Sequence, residues 1–320
     1  MSKKSSSPEQ IASDGQKYNG DKKANTSHMA AGFIAGMTST VVLFPLDLIK
    51  VRFQVQDGVS GPAYKGLLDA WRSIRTNEGL RGMYSGLTPA VIASAVSWGG
   101  YFFFYEAAKE YRLANVPAGK VKLTTTDHLI ASTQAGSVMV LLTNPIWLIK
   151  TRMQIQGADP SIRQYSSFTH ALTQIPREEG VRGLYKGALP ALLLTSHGAV
   201  QFAVYESLKS WGGAALAPSS GQKSGGLPAW ATATAGILSK VAATVVTYPY
   251  QVVKSRLQRQ SPTEARAEAS YLGVVDCVQK TWAREGLRGF FRGLAANVSR
   301  VAPSAGITFL VYEEVLKLLK

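Results

Sequence analysis

Three copies of one octapeptide constrain this chain more than any other feature. PLDLIKVR (Pro45 to Arg52), PIWLIKTR (Pro145 to Arg152) and PYQVVKSR (Pro249 to Arg256) recur 100 and 104 residues apart, each at the end of an apolar run. Further on come EGLRGMYSG from Glu78, EGVRGLYKG from Glu179 and EGLRGFFRG from Glu285, and each Glu follows a Tyr (Tyr64, Tyr165, Tyr271) by 14 residues. A third echo reads YEAAK from Tyr105, YESLK from Tyr205 and YEEVL from Tyr312. Self-similarity in register means one supersecondary unit built three times, in which stacked copies bury what a single copy leaves open.

The apolar runs say what that unit is. Thr88 to Tyr105, Leu129 to Ile149 and Ala188 to Tyr205 hold no charged residue. Ala30 to Ile49 holds only Asp47, Leu227 to Val253 only Lys240, and Ala295 to Val311 only Arg300. Each approaches the ~20 apolar residues that a bilayer-spanning helix needs. The expected architecture is an all-α membrane protein. Six transmembrane helices lie in three pseudo-symmetric repeats around a central cavity, with a short amphipathic helix in each long loop. The repeats span 28–122, 123–223 and 224–320. Residues 1–27, Ser- and Lys-rich without an apolar core or any Arg, read as a disordered polar tail and not as a targeting peptide. The three loops within repeats carry 17 Lys and Arg from Arg52 to Arg292, against 6 in the two connectors, so the long loops are expected on the interior side.

Composition excludes several classes. A net charge of +15 spread through loops beside apolar spans suits anionic lipid and an anionic cargo, not nucleic acid. Cys277 is the only cysteine, which rules out an intrachain disulfide and a multi-cysteine metal site. Four scattered histidines and one cysteine offer no nucleophile and base pairing, so no enzyme, no catalytic residue, no metal and no cofactor are expected.

A proline inside a helix removes a hydrogen bond and clashes with the preceding turn, so Pro45, Pro145 and Pro249 are expected to kink the odd-numbered spans and draw their ends together. The residues two and five positions beyond each proline then close the pathway: Asp47, Lys50, Trp147, Lys150, Gln251 and Lys254. Lys240 stands 11 residues before Gln251. Eleven helical steps return it to within about 20° of the same face, ~16 Å higher, which points it into the cavity. An ionisable group at that depth is a functional candidate by default, and Arg300 is the second.

The three octapeptides together resemble the signature of the mitochondrial carrier family, over residues 28 to 320. Trp147, SHGAVQF (Ser196 to Phe202) and TYPYQVVKSRLQ (Thr247 to Gln258) make the folate and FAD carriers the most similar branch. The resemblance implies a matrix gate in which Asp47 pairs with Lys150, Trp147 faces Lys254 and Gln251 meets Lys50, braced by Gln54, Gln154 and Gln258. On the opposite side it implies a cytoplasmic gate pairing Glu106 with Lys209 and Glu313 with Lys109; Glu206 lacks a partner because Leu316 stands at the basic position. Substrate contact points fall at Ala93 and Ser94, at Leu193 and Leu194, and at Arg300. Trp98 can stack on a ring. His197 and Gln201 either read ring edges or, in the case of His197, pack against a neighbouring helix.

The function so implied is alternating-access carriage of FAD and/or folate across the mitochondrial inner membrane. Carriage of NAD or a pyrimidine nucleotide is the alternative within transport, and a non-transporting scaffold the one outside it. The protein is expected to be a monomer with both termini in the intermembrane space. Cardiolipin is expected on the backbone N–H groups of Tyr84 to Gly86, Tyr185 to Gly187 and Phe291 to Gly293. The incomplete gates predict an easy empty return, hence uniport.

Overall fold

The computed structural model of the chain describes residues 27–28, 30–57, 64–114, 124–158, 164–216, 229–260 and 270–318. Among them every regular element is helical: α1 (Ala30–Val42), α2 (Phe44–Val55), α3 (Leu67–Met83), α4 (Leu87–Ala114), α5 (Thr125–Ile155), α6 (Phe168–Glu179), α7 (Ala188–Leu193), α8 (His197–Leu216), α9 (Ala229–Arg259), α10 (Val274–Gly289) and α11 (Leu294–Leu318). Short 3-10 turns at Val181–Tyr185 and Leu194–Ser196 flank α7. The all-α class read from the sequence is the class found. The polar tail assigned to 1–27 falls, apart from Ser27, outside the described residues.

The six apolar runs divide into two kinds. Leu87–Ala114, Val181–Trp211 and Leu294–Leu318 are each long and apolar enough to cross a membrane, with mean hydropathies of 1.3, 1.3 and 1.2, and α1 with α2 qualifies as one broken span. Helices α5 and α9 have the length, 31 residues each. They are less apolar because Gln134 and Asn144 interrupt the first and Lys240 and Gln251 the second. Polar positions on a spanning helix are tolerated where they face protein or water instead of lipid.

The chain forms two compact units. One joins α1 to the part of α11 from Ala302 onward. Within it Ser39 Oγ meets Ser304 Oγ at 3.0 Å, and His28 Nδ1 meets the Tyr312 hydroxyl at 2.7 Å. The other, Phe44–Val301, holds the rest and carries the three octapeptides.

Inside that larger unit each loop helix packs on the octapeptide of its own repeat. Ala70, Ile74 and Met83 lie on Phe44, Leu48 and Ile49; Ala171 and Ile175 on Leu148 and Ile149; Cys277 and Phe290 on Val253 and Leu257. The i, i+4 spacing of 70 with 74 and of 171 with 175 places both side chains on one helical face. Each large apolar side chain so buried contributes about 1.5–3 kcal/mol. Two glycines per repeat then turn the chain. Gly79, Gly180 and Gly286, each following its Glu, have φ of 68°, 70° and 60°, the left-handed region that glycine enters without penalty. Gly86, Gly187 and Gly293 have φ of 86°, 77° and 81°, and a Cβ there would stand 3.0, 3.1 and 3.0 Å from the carbonyl oxygens of Lys150, Lys254 and Lys50. The second glycine thus lets the start of each even-numbered span touch the octapeptide of another repeat.

The prolines act unequally. Pro145 and Pro249 lie inside α5 and α9, which run through them, whereas Pro45 is the second residue of α2, after a turn at Leu43. A helix start tolerates proline because its N–H would have no partner there. The fourth apolar run is broken in its own way. Thr195 Oγ1 donates to the Leu192 carbonyl and Ser196 Oγ to that of Leu193, both at 2.7 Å, in the 3-10 turn that precedes His197.

Candidate functional site

Three buried arginines close the octapeptides into a ring. Arg52, Arg152 and Arg256 end their octapeptides at the ends of α2, α5 and α9, and each is 2% exposed or less. Arg52 Nε donates to the main-chain carbonyl of Gln154 at 3.0 Å, Arg152 Nε to that of Gln258 at 3.0 Å, and Arg256 Nε to that of Gln54 at 3.1 Å. The guanidinium forks take the Glu of the second motif. Arg52 grips Glu78 with both Nη atoms, Arg152 grips Glu179 likewise, and Arg256 meets Glu285 at 2.5 Å. The Tyr64 and Tyr165 hydroxyls lie 3.3 Å from Arg52 and Arg152, and Thr281 accepts from Arg256 instead. A buried charge is tolerable only when it is paired, and each of these guanidinium groups has its carboxylate. Sequence reasoning missed this role. Its signal was the fixed 14-residue interval from Tyr to Glu together with the final Arg of each octapeptide.

Asp47 is the hub of the next layer. It is 7% exposed and accepts from Lys150 Nζ at 2.6 Å, Gln154 Nε2 at 3.2 Å and Arg300 Nη1 at 3.0 Å. The Lys150 contact is the pair read from the signature. The Arg300 contact was not foreseen, since the sequence held that guanidinium free for cargo; here it shares the carboxylate. Trp147 offers its ring to two cations, Lys150 Nζ at 4.9 Å and Lys254 Nζ at 5.6 Å. Such contacts contribute about 0.5–2 kcal/mol each. Gln251 makes no hydrogen bond with Lys50 among the described residues, in contrast to the pairing expected; both line a cavity of about 320 Å³ with Asp47, Trp147, Lys150 and Lys254.

The three glutamines brace unequally. Ser255 Oγ donates to Gln54 Oε1 at 2.8 Å and Thr151 Oγ1 to Gln258 Oε1 at 2.9 Å. The corresponding position of the first repeat is Val51, which has no hydroxyl, and Gln154 Oε1 is buried without a partner. Its amide turns to Asp47.

A second cavity, about 560 Å³, shares Trp147, Leu194 and Lys254 with the first and extends past Asn144, Thr143 and Phe202 to Tyr101. Of the contact points read on the second span, Ala93 is fully buried and so out of a cargo's reach in this state, a correction to its assignment; Ser94 is half-buried. Leu193 is 45% exposed while Leu194 borders both cavities. His197 takes the packed role, its Nδ1 2.9 Å from Thr247 Oγ1 on α9. Gln201 is half-buried, and the side chain of Trp98 lies outside the described residues. Lys240 is exposed and stands within electrostatic reach of Arg300 and of His197.

Other expectations are revised. Glu106 pairs with Lys109 one turn away on its own helix at 2.5 Å, and its expected contact with Lys209 is not made; Glu206 and Lys209 are exposed. A neighbour at i+3 costs less order to engage than one on another helix. Lys317 binds Glu314 at 2.7 Å, and Glu313 is exposed on α11. The amides of Ser85, Lys186 and Arg292, expected to be free for lipid phosphate, are donated within their own turns to Gly82, Gly183 and Gly289. Lys186 and Arg292 also bind Glu179 and Glu285 at 2.7 Å. Cys277 is buried, and burial pushes its thiol up to about 11, which leaves it without nucleophilic thiolate near neutral pH.

The family model described as mitochondrial carrier protein matches residues 21–115, 121–214 and 225–320. Folate transporter 1, chloroplastic, of Arabidopsis thaliana is 44% identical over 91% of this chain and 94% of its own length. Nicotinamide adenine dinucleotide transporter 2, mitochondrial, of the same plant is 37% identical over 92% of this chain and 80% of its own length. Mitochondrial nicotinamide adenine dinucleotide transporter 1 of Saccharomyces cerevisiae is 31% identical over 88% and 74%.

Proposed function

Because this chain belongs to the mitochondrial carrier family, whose members are membrane transporters and not enzymes, we propose that it carries folate and/or FAD by alternating access. The observation that carries this reading is a ring-sized cavity with aromatic walls and a cation, Lys254, on its lining. Two further cations, Lys240 on α9 and Arg300 on α11, lie within electrostatic reach of one another. A cavity of about 560 Å³ walled by Tyr101, Trp147 and Phe202 suits a flat ring system. Charge in that setting is costly unless water or an anion answers it. The 44% identity to a protein named as a folate transporter supports folate over other anions.

In this reading the layer around Asp47 is the matrix gate, closed by the Asp47–Lys150 pair, and the cargo's anionic group draws Arg300 and Lys240 toward itself. The Glu106, Lys109, Glu206, Lys209 and Glu313 positions form the opposite gate when the first one opens. The protein acts as a monomer in the mitochondrial inner membrane, termini in the intermembrane space, with cardiolipin at the loop helices. A plastid envelope is the alternative membrane, favoured by the relative named as chloroplastic. NAD is the alternative cargo, favoured by the Arabidopsis and Saccharomyces relatives named as its transporters. Liposomes reconstituted with the purified chain and offered labelled folate, FAD and NAD separately decide this. Saturable uptake of folate or FAD is expected, and uptake of NAD alone would replace this reading with the second one.

A further inference from the structure

The layer around Asp47 is unbalanced in a way that implies a ligand. Four cations, Lys50, Lys150, Lys254 and Arg300, interact electrostatically around it, and Lys50 feels all the others and Asp47. Among the described residues that line the 320 Å³ cavity, Asp47 is the one carboxylate, and its oxygens are already taken by Lys150, Arg300 and Gln154. Among the described residues Lys254 has only the face of Trp147, and Lys50 makes no hydrogen bond. Two ammonium groups held in a partly enclosed, low-dielectric space repel one another and lack the bonds they would make in water. The positions that would hold the missing acids are filled by Trp147 and Gln251, a ring face and a neutral amide. Gln251 borders the same cavity, and its side chain keeps both a donor and an acceptor.

We infer that this cavity is an oxyanion site in which a phosphate or carboxylate group sits between Lys50 and Lys254 and completes the closed gate from outside the chain. Such a group supplies the negative charge that an acid at position 251 would have supplied, and Gln251 donates its amide N–H to one of its oxygens. The closed gate is then conditional on an anion, which makes gate closure a binding event. The inference rests on the gate reading above and is independent of which cargo is carried.

The test is thermal unfolding of the full-length protein in nanodiscs of zwitterionic lipid, with inorganic phosphate titrated against chloride at equal ionic strength. The wild type is expected to gain about 5 °C at a hundredfold excess of phosphate over its Kd. Gln251→Glu, which brings its own carboxylate to Lys50, is expected to unfold at higher temperature without phosphate and to lose most of the phosphate response. Lys50→Gln removes the unanswered charge and is expected to behave likewise. Equal stabilisation by phosphate and chloride, or an undiminished phosphate response in both variants, overturns the inference and assigns the effect to the surface loops. Repeating the titration with folate or FAD identifies the source. Phosphate that competes with the cargo means the cargo's own anionic arm uses the site; phosphate that adds to it means a resident free anion does. A phosphate response with no transport of any offered cargo leaves this site standing and refutes the proposed function alone.

Discussion

Asp47 answers two cations and an amide with one carboxylate, and its replacement is the most damaging single change at the site. Asp47→Asn leaves the largely buried Lys150 and the half-buried Arg300 against a neutral partner, so a loss at or below the lower end of about 3–5 kcal/mol is expected, read as a lower unfolding temperature in detergent. Val51 gives the opposite case. Its neighbours in the other repeats, Thr151 and Ser255, each donate a hydroxyl to a glutamine, and Gln154 Oε1 is left orphaned beside it. Val51→Thr keeps the shape and adds the donor, and a gain of about 0.5–1.5 kcal/mol in the same assay is expected. At this scale the sequence was half legible. Spacing after the prolines places Asp47, Lys150, Trp147 and Lys254 on pathway-facing positions, because helical geometry converts an interval into a face, and the family resemblance implied which of them pair. Arg300 on Asp47 does not, because the two lie 253 residues apart and no local pattern links them.

The loop helices set the precision of each repeat through their glycines. Gly180 and Gly187 share a left-handed φ, but only at Gly187 would a Cβ meet neighbours, Gln258 Cγ at 2.9 Å and the Lys254 carbonyl at 3.1 Å. Gly180→Ala is therefore expected to cost about 1–2 kcal/mol of backbone strain and Gly187→Ala measurably more, compared by unfolding temperature. Glu179, at the end of α6, adds a pH dependence. Burial raises its carboxyl pKa, but Arg152 and Lys186 outweigh that and hold it below the usual carboxylate range. A depressed folded pKa contributes stability that is complete above the unfolded value, about 4.3, and is lost as the pH falls toward the folded one. Glu179→Gln should flatten the acid limb of the stability curve below about pH 4 and lower stability at pH 7. The existence of the loop helices was legible because their motif recurs. The break within the fourth apolar run, with its hydroxyls bonded back at Leu194–Ser196, was not, since an apolar run reads as one continuous helix.

Across the whole molecule, repetition carried the reading furthest. Three copies fixed the all-α class and the carrier family, whereas cargo identity depends on the few positions where the copies differ, such as Lys240 against Gly136 and Gly36. Those differences show which side chains are special without showing what they bind. The lack of acids opposite Lys50 and Lys254 also predicts that labelled cargo enters liposomes without an internal counter-substrate; strict dependence on preloading would contradict this. The central claim is that a negatively charged, ring-bearing molecule crosses by engaging the two deep cations. It is tested most directly by initial rates of labelled folate and FAD uptake into liposomes carrying wild type, Lys240→Ala, Arg300→Ala or the exposed control Lys317→Ala. The account predicts saturable uptake in wild type and the control and at least a tenfold loss in both deep-cation variants, about 1.4 kcal/mol or more. Uptake undiminished without Lys240 and Arg300 would contradict it.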